Sequence, residues 1–301
     1  MQHQDTLNPS SRRLSVRLEQ MRQARRIHGG LLGLLTAKLA VGLSRIPLPS
    51  KRLRTRLFVE LYARMYPPGL NASEAERPLG DYRSFNALFT RGLKPGSREI
   101  SVRGDEILCP CDGTVQEVGR VEDGTVVTAK GIVYSVASLL ADLEARGFEG
   151  SAFAVIFLSP IDCHRVFSPV AGSLEKAVHV PGARLLVHPP FQRPEFPVYT
   201  LNERVVLRLT GEIGPCVVVM VAGWGVGHIT LPLAGRYRPR SREVDTHVWS
   251  PPQPVARGDW IGTFELGSTV VVIAPPSREM ASLVSPNQKV RYGQALFRLA
   301  Q

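Results

Sequence analysis

Apolar residues follow two rhythms along the chain. Between residues 29 and 66 they recur at helical spacing; from residue 107 onward they fall into short β-branched runs cut by glycine. In the first zone, KRLRTRLFVELYARMY (51–66) sets Leu53, Leu57, Leu61 and Met65 at i, i+4 spacing with Phe58 and Tyr62 beside them. That spacing predicts an amphipathic helix with a basic opposite face. The stretch before it, GGLLGLLTAKLAVGLSRIPLP (29–49), is strongly apolar but interrupted by Lys38 and Arg45. It is short and charge-broken beside the roughly 20 apolar residues that a spanning helix needs. The pair therefore reads as a hairpin of helices lying in a membrane interface. The plainer alternative packs the amphipathic helix on the body and leaves the basic tail in solvent.

After Pro67-Pro68, Asp81 is placed to cap a helix over DYRSFNALFTRGL, with Phe85, Leu88 and Phe89 on one face and Gly92, Pro95 and Gly96 stopping it. The second rhythm then sets in. Strands are expected at 113–118, 124–129, Phe153–Leu158, around Val166, and at Gly172–Val180, Arg204–Leu209, Cys216–Val221 and Ile229–Leu233. One helix is expected from Ser135 to Arg146, with Leu139, Leu140 and Leu143 inward. Short strands with regular turn signals predict an α+β chain that is mostly β, with a barrel-like or sandwich-like catalytic domain over 67–301 and a membrane-associated segment over 1–66. The run PCVVVMVAGWGVG (215–227) invites a dinucleotide-binding reading. Its G-x-G-x-G leads into a further strand, so no helix N-terminus is available for an anion. Turns or close backbone approach fit Gly223, Gly225 and Gly227 better.

Charge sharpens the division. Of a formal net charge of +11 over 301 residues, +10 lies in residues 1–66, where thirteen Lys/Arg stand against three Asp/Glu. A basic, apolar front end suits an anionic phospholipid membrane. Nucleic acid is not expected, since no aromatic interleaving or binding motif accompanies the charge. A signal peptide is disfavoured by the long polar stretch ahead of the apolar one. Cys109, Cys111, Cys163 and Cys216 form no C-x-x-C pair and the histidines no H-E-x-x-H, so no metal is expected and the thiols read as reduced core residues.

The candidate chemistry lies near the end, in Phe264–Ile273, where Gly267-Ser268-Thr269 runs straight into a β-branched strand. A hydrolase elbow needs a helix after its serine and a glycine two residues on, and neither is present. Two readings stay open. Ser268 is a plain turn residue; or its hydroxyl attacks the Gly267 carbonyl, made reachable by a glycine turn. That N-to-O shift would give an ester. β-Elimination would then break the chain and leave a pyruvoyl group at residue 268, a carbonyl able to condense with an amine and act as an electron sink.

Several stretches taken in order make the chain resemble the phosphatidylserine decarboxylases of the membrane-bound bacterial type. They are Phe85-Asn86-Ala87-Leu88-Phe89-Thr90-Arg91-Gly92-Leu93-Lys94 with Arg98, Cys109-Pro110-Cys111-Asp112-Gly113, Lys130-Gly131 with Tyr134-Ser135, and Leu158-Ser159-Pro160-Ile161-Asp162-Cys163-His164-Arg165 with Pro169. Val180-Pro181-Gly182, Asn202-Glu203-Arg204, Arg257-Gly258 and Leu266-Gly267-Ser268-Thr269 complete the series. The resemblance covers roughly residues 30 to 299. It implies self-cleavage between Gly267 and Ser268 into a β chain (1–267) and an α chain (268–301). It also implies a covalently bound pyruvoyl cofactor made from Ser268, decarboxylation of phosphatidylserine to phosphatidylethanolamine, a peripheral place on the cytoplasmic side of the cell membrane, and a homodimer.

By motif, Asp112 matches the family's charge-relay aspartate and His164 the histidine that handles a proton in decarboxylation, with Asp162 placed to orient it. Taken alone, Asp112 is a turn residue, His164 a structural histidine and Asp162 a loop cap. The chain departs from the family pattern in three places: Cys163 stands for a tyrosine, Phe167 for the second histidine of the relay, and Asp259-Trp260-Ile261-Gly262 for the family's usual Glu-Met-Gly. Phenylalanine carries no proton. Either His164 serves both steps, or another histidine such as His228 reaches the site, or the chain is a non-cleaving, lipid-binding pseudoenzyme of the same fold. A tethered carrier module and a decarboxylase for a soluble amino acid are further readings. Lys130 is the only vague carrier lysine, and the apolar N-terminus argues against a soluble substrate.

Overall fold

The computed structural model describes residues 19, 22–23, 26 and 29–300, apart from 68, 128–130, 142–146, 189–191, 226–227, 233–242, 266 and 278. Its helices are α1 (Gly30–Ser44), α2 (Lys51–Met65), α3 (Phe85–Phe89), α4 (Val136–Leu140) and α5 (Val198–Leu201). The strands are β1 (Glu106–Leu108), β2 (Gly113–Arg120), β3 (Thr125–Val127), β4 (Val133–Ser135), β5 (Ala152–Leu158), β6 (Arg165–Phe167), β7 (Gly172–Val180) and β8 (Arg204–Gly211). They continue with β9 (Gly214–Ala222), β10 (Ile229–Thr230), β11 (Asp245–Val255), β12 (Trp260–Phe264), β13 (Ser268–Ile273), β14 (Met280–Ser282), β15 (Lys289–Val290) and β16 (Ala295–Leu299).

Eight strands form one antiparallel sheet in the order β11-β7-β8-β9-β13-β5-β2-β15. β13 lies inside it, paired with β5 on one side and β9 on the other over all six residues. Its buried run STVVVI shows why. Val270 and Val272 enter one core with Ile156, Met220 and Phe264; Val271 and Ile273 enter a second with Val155, Val219 and Leu139. A strand buried on both faces reads as a continuous apolar run rather than an alternation. Two small sheets, β10-β12-β6 and β1-β16-β14, cover the first face. α4, α5 and the β3-β4 ribbon cover the second. The expectation of an α+β chain that is mostly β holds. A barrel does not: the large sheet ends at β11 and β15 and does not close.

Other differences have local causes. β11 was not expected, because Pro251, Pro252 and Pro254 interrupt its pattern. It is an edge strand, where a residue without an N–H is tolerated, and its pairing with β7 breaks between Val248 and Gln253. The helix expected from Asp81 starts later. Leu79–Asp81 is a 3₁₀ turn, and Ser84 caps α3 by accepting from the Ala87 N–H at 3.1 Å. α4 is shorter than the expected 135–146 helix; Ala141 takes a left-handed conformation after Leu140, and 142–146 lie outside the described residues. Lys130 lies outside them as well.

α2 forms as its spacing predicts, capped by Ser50. It packs on the body through Phe58 and Tyr62, which join Tyr82 and Leu88 in a third small core. Leu53, Leu57, Val59 and Met65 stay exposed, as do Leu31, Leu32, Leu35, Leu39 and Leu43 of α1. The Arg54 side chain donates to the carbonyls of Leu48 and Gly80, each at 2.7 Å, and Arg45 pairs with Glu265 at 2.6 Å. None of the described helices is long and apolar enough to cross a membrane.

The two kinds of apolar position should respond differently to truncation. Ile273→Ala, in the middle of both cores' sheet, should cost about 2–5 kcal/mol, whereas Leu53→Ala should stay within about 0.5 kcal/mol. Urea unfolding midpoints check this, and equal losses would contradict the packing described.

Candidate active site

Ser268 opens β13 opposite Leu158 of β5 and Ala222 of β9. It is fully buried, and its Oγ has no hydrogen-bond partner. A buried hydroxyl left unpaired costs about 1–3 kcal/mol, so its isolation at the head of a central strand is a constraint and not a packing accident. Gly267, before it, has φ +46°, the left-handed region where a Cβ is strained. The Gly223 N–H donates to the Gly267 carbonyl at 3.0 Å. A Cβ on Gly223 would lie 2.9 Å from Val187 Cγ2 and 3.0 Å from the Gly267 oxygen, so the close approach read from the G-x-G run is real.

A cavity of about 990 Å³ meets this turn. Gly267 and Ser268 form part of its floor, and its walls come from α1 (Ala40, Leu43), α2 (Leu57, Leu61) and α3 (Phe85, Phe89). The N-terminal helices thus build an apolar chamber that reaches the serine.

His164 lies just before β6, under the face of the sheet that holds Val270 and, by strand alternation, Ser268. Its carbonyl accepts from the Phe264 N–H at 3.0 Å. The ring stacks 3.7 Å from Phe89, with Nδ1 3.0 Å from the Asp162 carbonyl oxygen and Nε2 buried without a partner. Burial first, and then the Arg91 charge, push the imidazole pKa down to about 3. It is neutral at physiological pH.

Asp162 meets His164 through its backbone only. Its carboxylate accepts from the Ser159 N–H at 2.7 Å and lies 3.7 Å from Lys289 Nζ, fastening the turn that follows Leu158. Burial raises its pKa, with Lys289 opposing. Asp112 stands apart from the serine. It precedes β2, which β5 separates from β13, so the two backbones are about 10 Å apart by ordinary strand spacing. Arg98 grips both Asp112 oxygens, at 3.1 and 2.5 Å, and the Tyr292 N–H donates to Oδ1 at 3.0 Å. Burial works against the Arg98 charge, but Asp112 and Glu74 outweigh it and raise its pKa. Phe167 stacks on Tyr292 at 3.8 Å, so an apolar ring pair lies beside Asp112 where a relay histidine was expected. Cys163 is buried, its thiol pushed up to about 11 mainly by burial. His228 enters through its carbonyl, which accepts from the Glu265 N–H at 2.8 Å, and it does not line the cavity.

The residue that sequence reasoning missed is His188. Its ring packs edge-on against Phe157 at 5.0 Å, and it lines the same cavity as Gly267 and Ser268. No motif marks it; only the long-range fold brings it there.

An apolar chamber that meets a glycine turn and a buried, unpaired serine has the makings of an enzyme site, and comparison supplies the family. A family model described as phosphatidylserine decarboxylase matches residues 85–298. A phosphatidylserine decarboxylase proenzyme of Bordetella avium is 38% identical over 241 residues, covering 78% of this chain and 79% of that protein. One from Pseudomonas putida is 38% identical over 252 residues (81% and 87%), and one from an Anaeromyxobacter species 36% over 261 (84% and 89%). The chain belongs to the phosphatidylserine decarboxylase family.

The buried His164 makes stability depend on acid in a defined window. The unfolded chain takes up its imidazole proton near pH 6.5, while the folded one resists until about 3. The stability tied to the neutral ring is therefore complete above about 6.5 and is lost as pH falls toward 3. Between pH 7 and pH 5 the loss should be about 2 kcal/mol. His164→Gln should shrink the wild-type drop in unfolding free energy over that interval by about this amount, measured by urea titration at both pH values.

Proposed function

We propose that the chain is a self-processing enzyme that decarboxylates phosphatidylserine to phosphatidylethanolamine, with Ser268 converted to a covalently bound pyruvoyl group. The observation that carries the reading is the Gly267-Ser268 turn: a buried, unpaired hydroxyl beside a left-handed glycine whose carbonyl is already held by a backbone donor. Those residues fit a carbonyl made in place at position 268. When Ser268 Oγ attacks the Gly267 carbonyl carbon, negative charge gathers on the Gly267 oxygen, and the Gly223 N–H is there to receive it. The C–N bond then breaks, leaving an ester and a free amine on residue 268. Loss of the Cα proton expels the Gly267 carboxylate, and water releases ammonia from residue 268.

Self-cleavage needs a base for the serine proton, and the neutral, unpartnered Nε2 of His164 on Ser268's face of the sheet supports that role. Asp162 positions His164 through its carbonyl. Asp112, neutralised by Arg98, holds the Tyr292 segment and so the register of the C-terminal piece. Once formed, the pyruvoyl group supplies a carbonyl that joins the substrate amine and draws electrons from the bond to its carboxylate.

The cavity supports a lipid substrate. An apolar chamber of about 990 Å³ suits the start of acyl chains, and it is built from the same helices that expose Leu31 and Leu32 at 72% and 71%. Exposed leucines beside a basic segment support a peripheral place on the cytoplasmic face of an anionic membrane.

Two measurements check this. Purified wild-type protein should give two masses, 1–267 and a pyruvoyl-blocked 268–301, with decarboxylation of phosphatidylserine in mixed micelles, whereas Ser268→Ala should stay whole and inactive. An uncut, folded wild-type chain would sink the proposal and favour a lipid-binding pseudoenzyme. For the membrane, Leu35→Asp with Leu39→Asp should lower flotation with anionic phospholipid vesicles by more than tenfold, since burying a leucine is worth about 1.5–3 kcal/mol. Unchanged flotation would remove α1 from the membrane contact.

A further inference from the structure

The chamber that meets Ser268 has an exposed apolar rim. Leu43 and Ile46 bring it from the end of α1, Leu57 and Met65 from α2, and all four are exposed. A fifth exposed apolar side chain lines the chamber from the catalytic body. It is Trp224, in the turn after β9 and 38% exposed. Its main chain lies against the reacting turn, since a Cβ on Gly267 would come 3.2 Å from the Trp224 carbonyl oxygen. The Gly223 N–H just before it holds the Gly267 carbonyl, and Gly225 just after it takes φ +78°. The turn thus fixes the Trp224 backbone at Gly267 and leaves the ring half in solvent at the chamber.

The protein has three tryptophans, and the body accounts for the other two. Trp260 is as exposed as Trp224, but its Nε1 donates to the Gly262 carbonyl and to Thr263 Oγ1, each at 2.8 Å, and the Arg165 guanidinium lies 4.3 Å from its ring centre. Trp249 packs partly buried against the first core, edge-on to His247. Among the described residues no hydrogen bond or ring contact holds the Trp224 side chain. An indole joins an apolar body to one polar N–H, which suits the boundary between lipid headgroups and acyl chains.

The rim continues onto α1. Leu31, Leu35, Leu39 and Leu43 recur at i, i+4 and are all exposed, so an apolar stripe runs along the helix and ends at the chamber. Cations accompany it. Lys38 and Arg45 beside the stripe and Arg52 and Arg64 on α2 are exposed, in the segment that holds nearly all of the chain's excess positive charge. An exposed apolar surface edged with cations is complementary to an anionic lipid leaflet.

We infer that Trp224 is a second membrane anchor, carried by the catalytic body, which enters the headgroup boundary of the anionic leaflet in which α1 lies. The inference extends the peripheral-membrane reading proposed above and rests on it. Two elements far apart in sequence then hold the chamber against the leaflet. With the Trp224 main chain against Gly267, the depth of the indole also sets the depth of the Gly267-Ser268 turn.

The test uses the full chain with Trp249→Phe and Trp260→Phe, which leaves Trp224 as the only indole. The vesicles are phosphatidylcholine with phosphatidylglycerol, neither of them the proposed substrate. On vesicle addition Trp224 emission should shift to the blue, and lipids brominated near the headgroup end of the acyl chain should quench it more than lipids brominated near the chain terminus. In an otherwise unchanged chain, Trp224→Ala should lower flotation with the same vesicles by about tenfold. This second measurement decides the matter if the double variant fails to fold. Protein that floats while Trp224 emission stays unshifted and unquenched would overturn the anchor and leave α1 as the membrane contact. Flotation of Trp224→Ala within about twofold of wild type would overturn it equally. A wild type that does not float would overturn both the anchor and the peripheral-membrane reading. A quenched Trp224 beside a wild type that stays uncut by intact mass would support the anchor and sink only the decarboxylase reading.

Discussion

Everything at the candidate site depends on β13 being hydrogen-bonded along both edges. With β5 and β9 in fixed register on either side, residue 268 has no freedom to slide or turn outward. Burial of both faces strengthens the register, because a one-residue slip would exchange every side chain between two cores. The left-handed turn at Gly267 and the unpaired hydroxyl at Ser268 are held in place by that surrounding sheet. A buried hydroxyl without a partner is costly, and two apolar cores with a ladder on each side fix it there.

Charge is arranged around the same strand without touching it. Asp112 is locked to Arg98, and Arg98 to Glu74, so the acid nearest in sequence to the expected relay serves as a tie between the 74–98 segment and the C-terminal strands. Breaking such a buried pair is costly because it strands a charge. Phe167 and Tyr292 fill the adjacent space with stacked rings. The place of the expected histidine is thus not an unfilled gap; it is packed as an apolar joint beside the Arg98–Asp112 ion pair.

Much of this was legible before any coordinates. The continuous β-branched runs at 153–158, 216–221 and 270–273 are the inner strands, and their lack of alternation follows from a sheet covered on both sides. The Gly-Ser turn and the close approach at Gly223 followed from residue type alone. Closure into a barrel did not, because a strand sequence carries no statement about its outermost neighbours. β11 was hidden by prolines that only an edge position permits. His188 was invisible for a deeper reason: nothing local distinguishes it, and its place depends on Asn202, Gly223 and Phe157 from distant parts of the chain.

The segment after residue 267 is woven through the whole body. β13 lies between β5 and β9, β15 borders β2, and β16 sits between β1 and β14. A cut before Ser268 would leave these pairings intact, and the two pieces would travel together in native conditions. The information for assembly would nevertheless have been used once. An unfolded, severed molecule would have to find its second piece by diffusion and thread it between strands that close without it. The durability of the mature form would then be set by how slowly it opens rather than by any equilibrium.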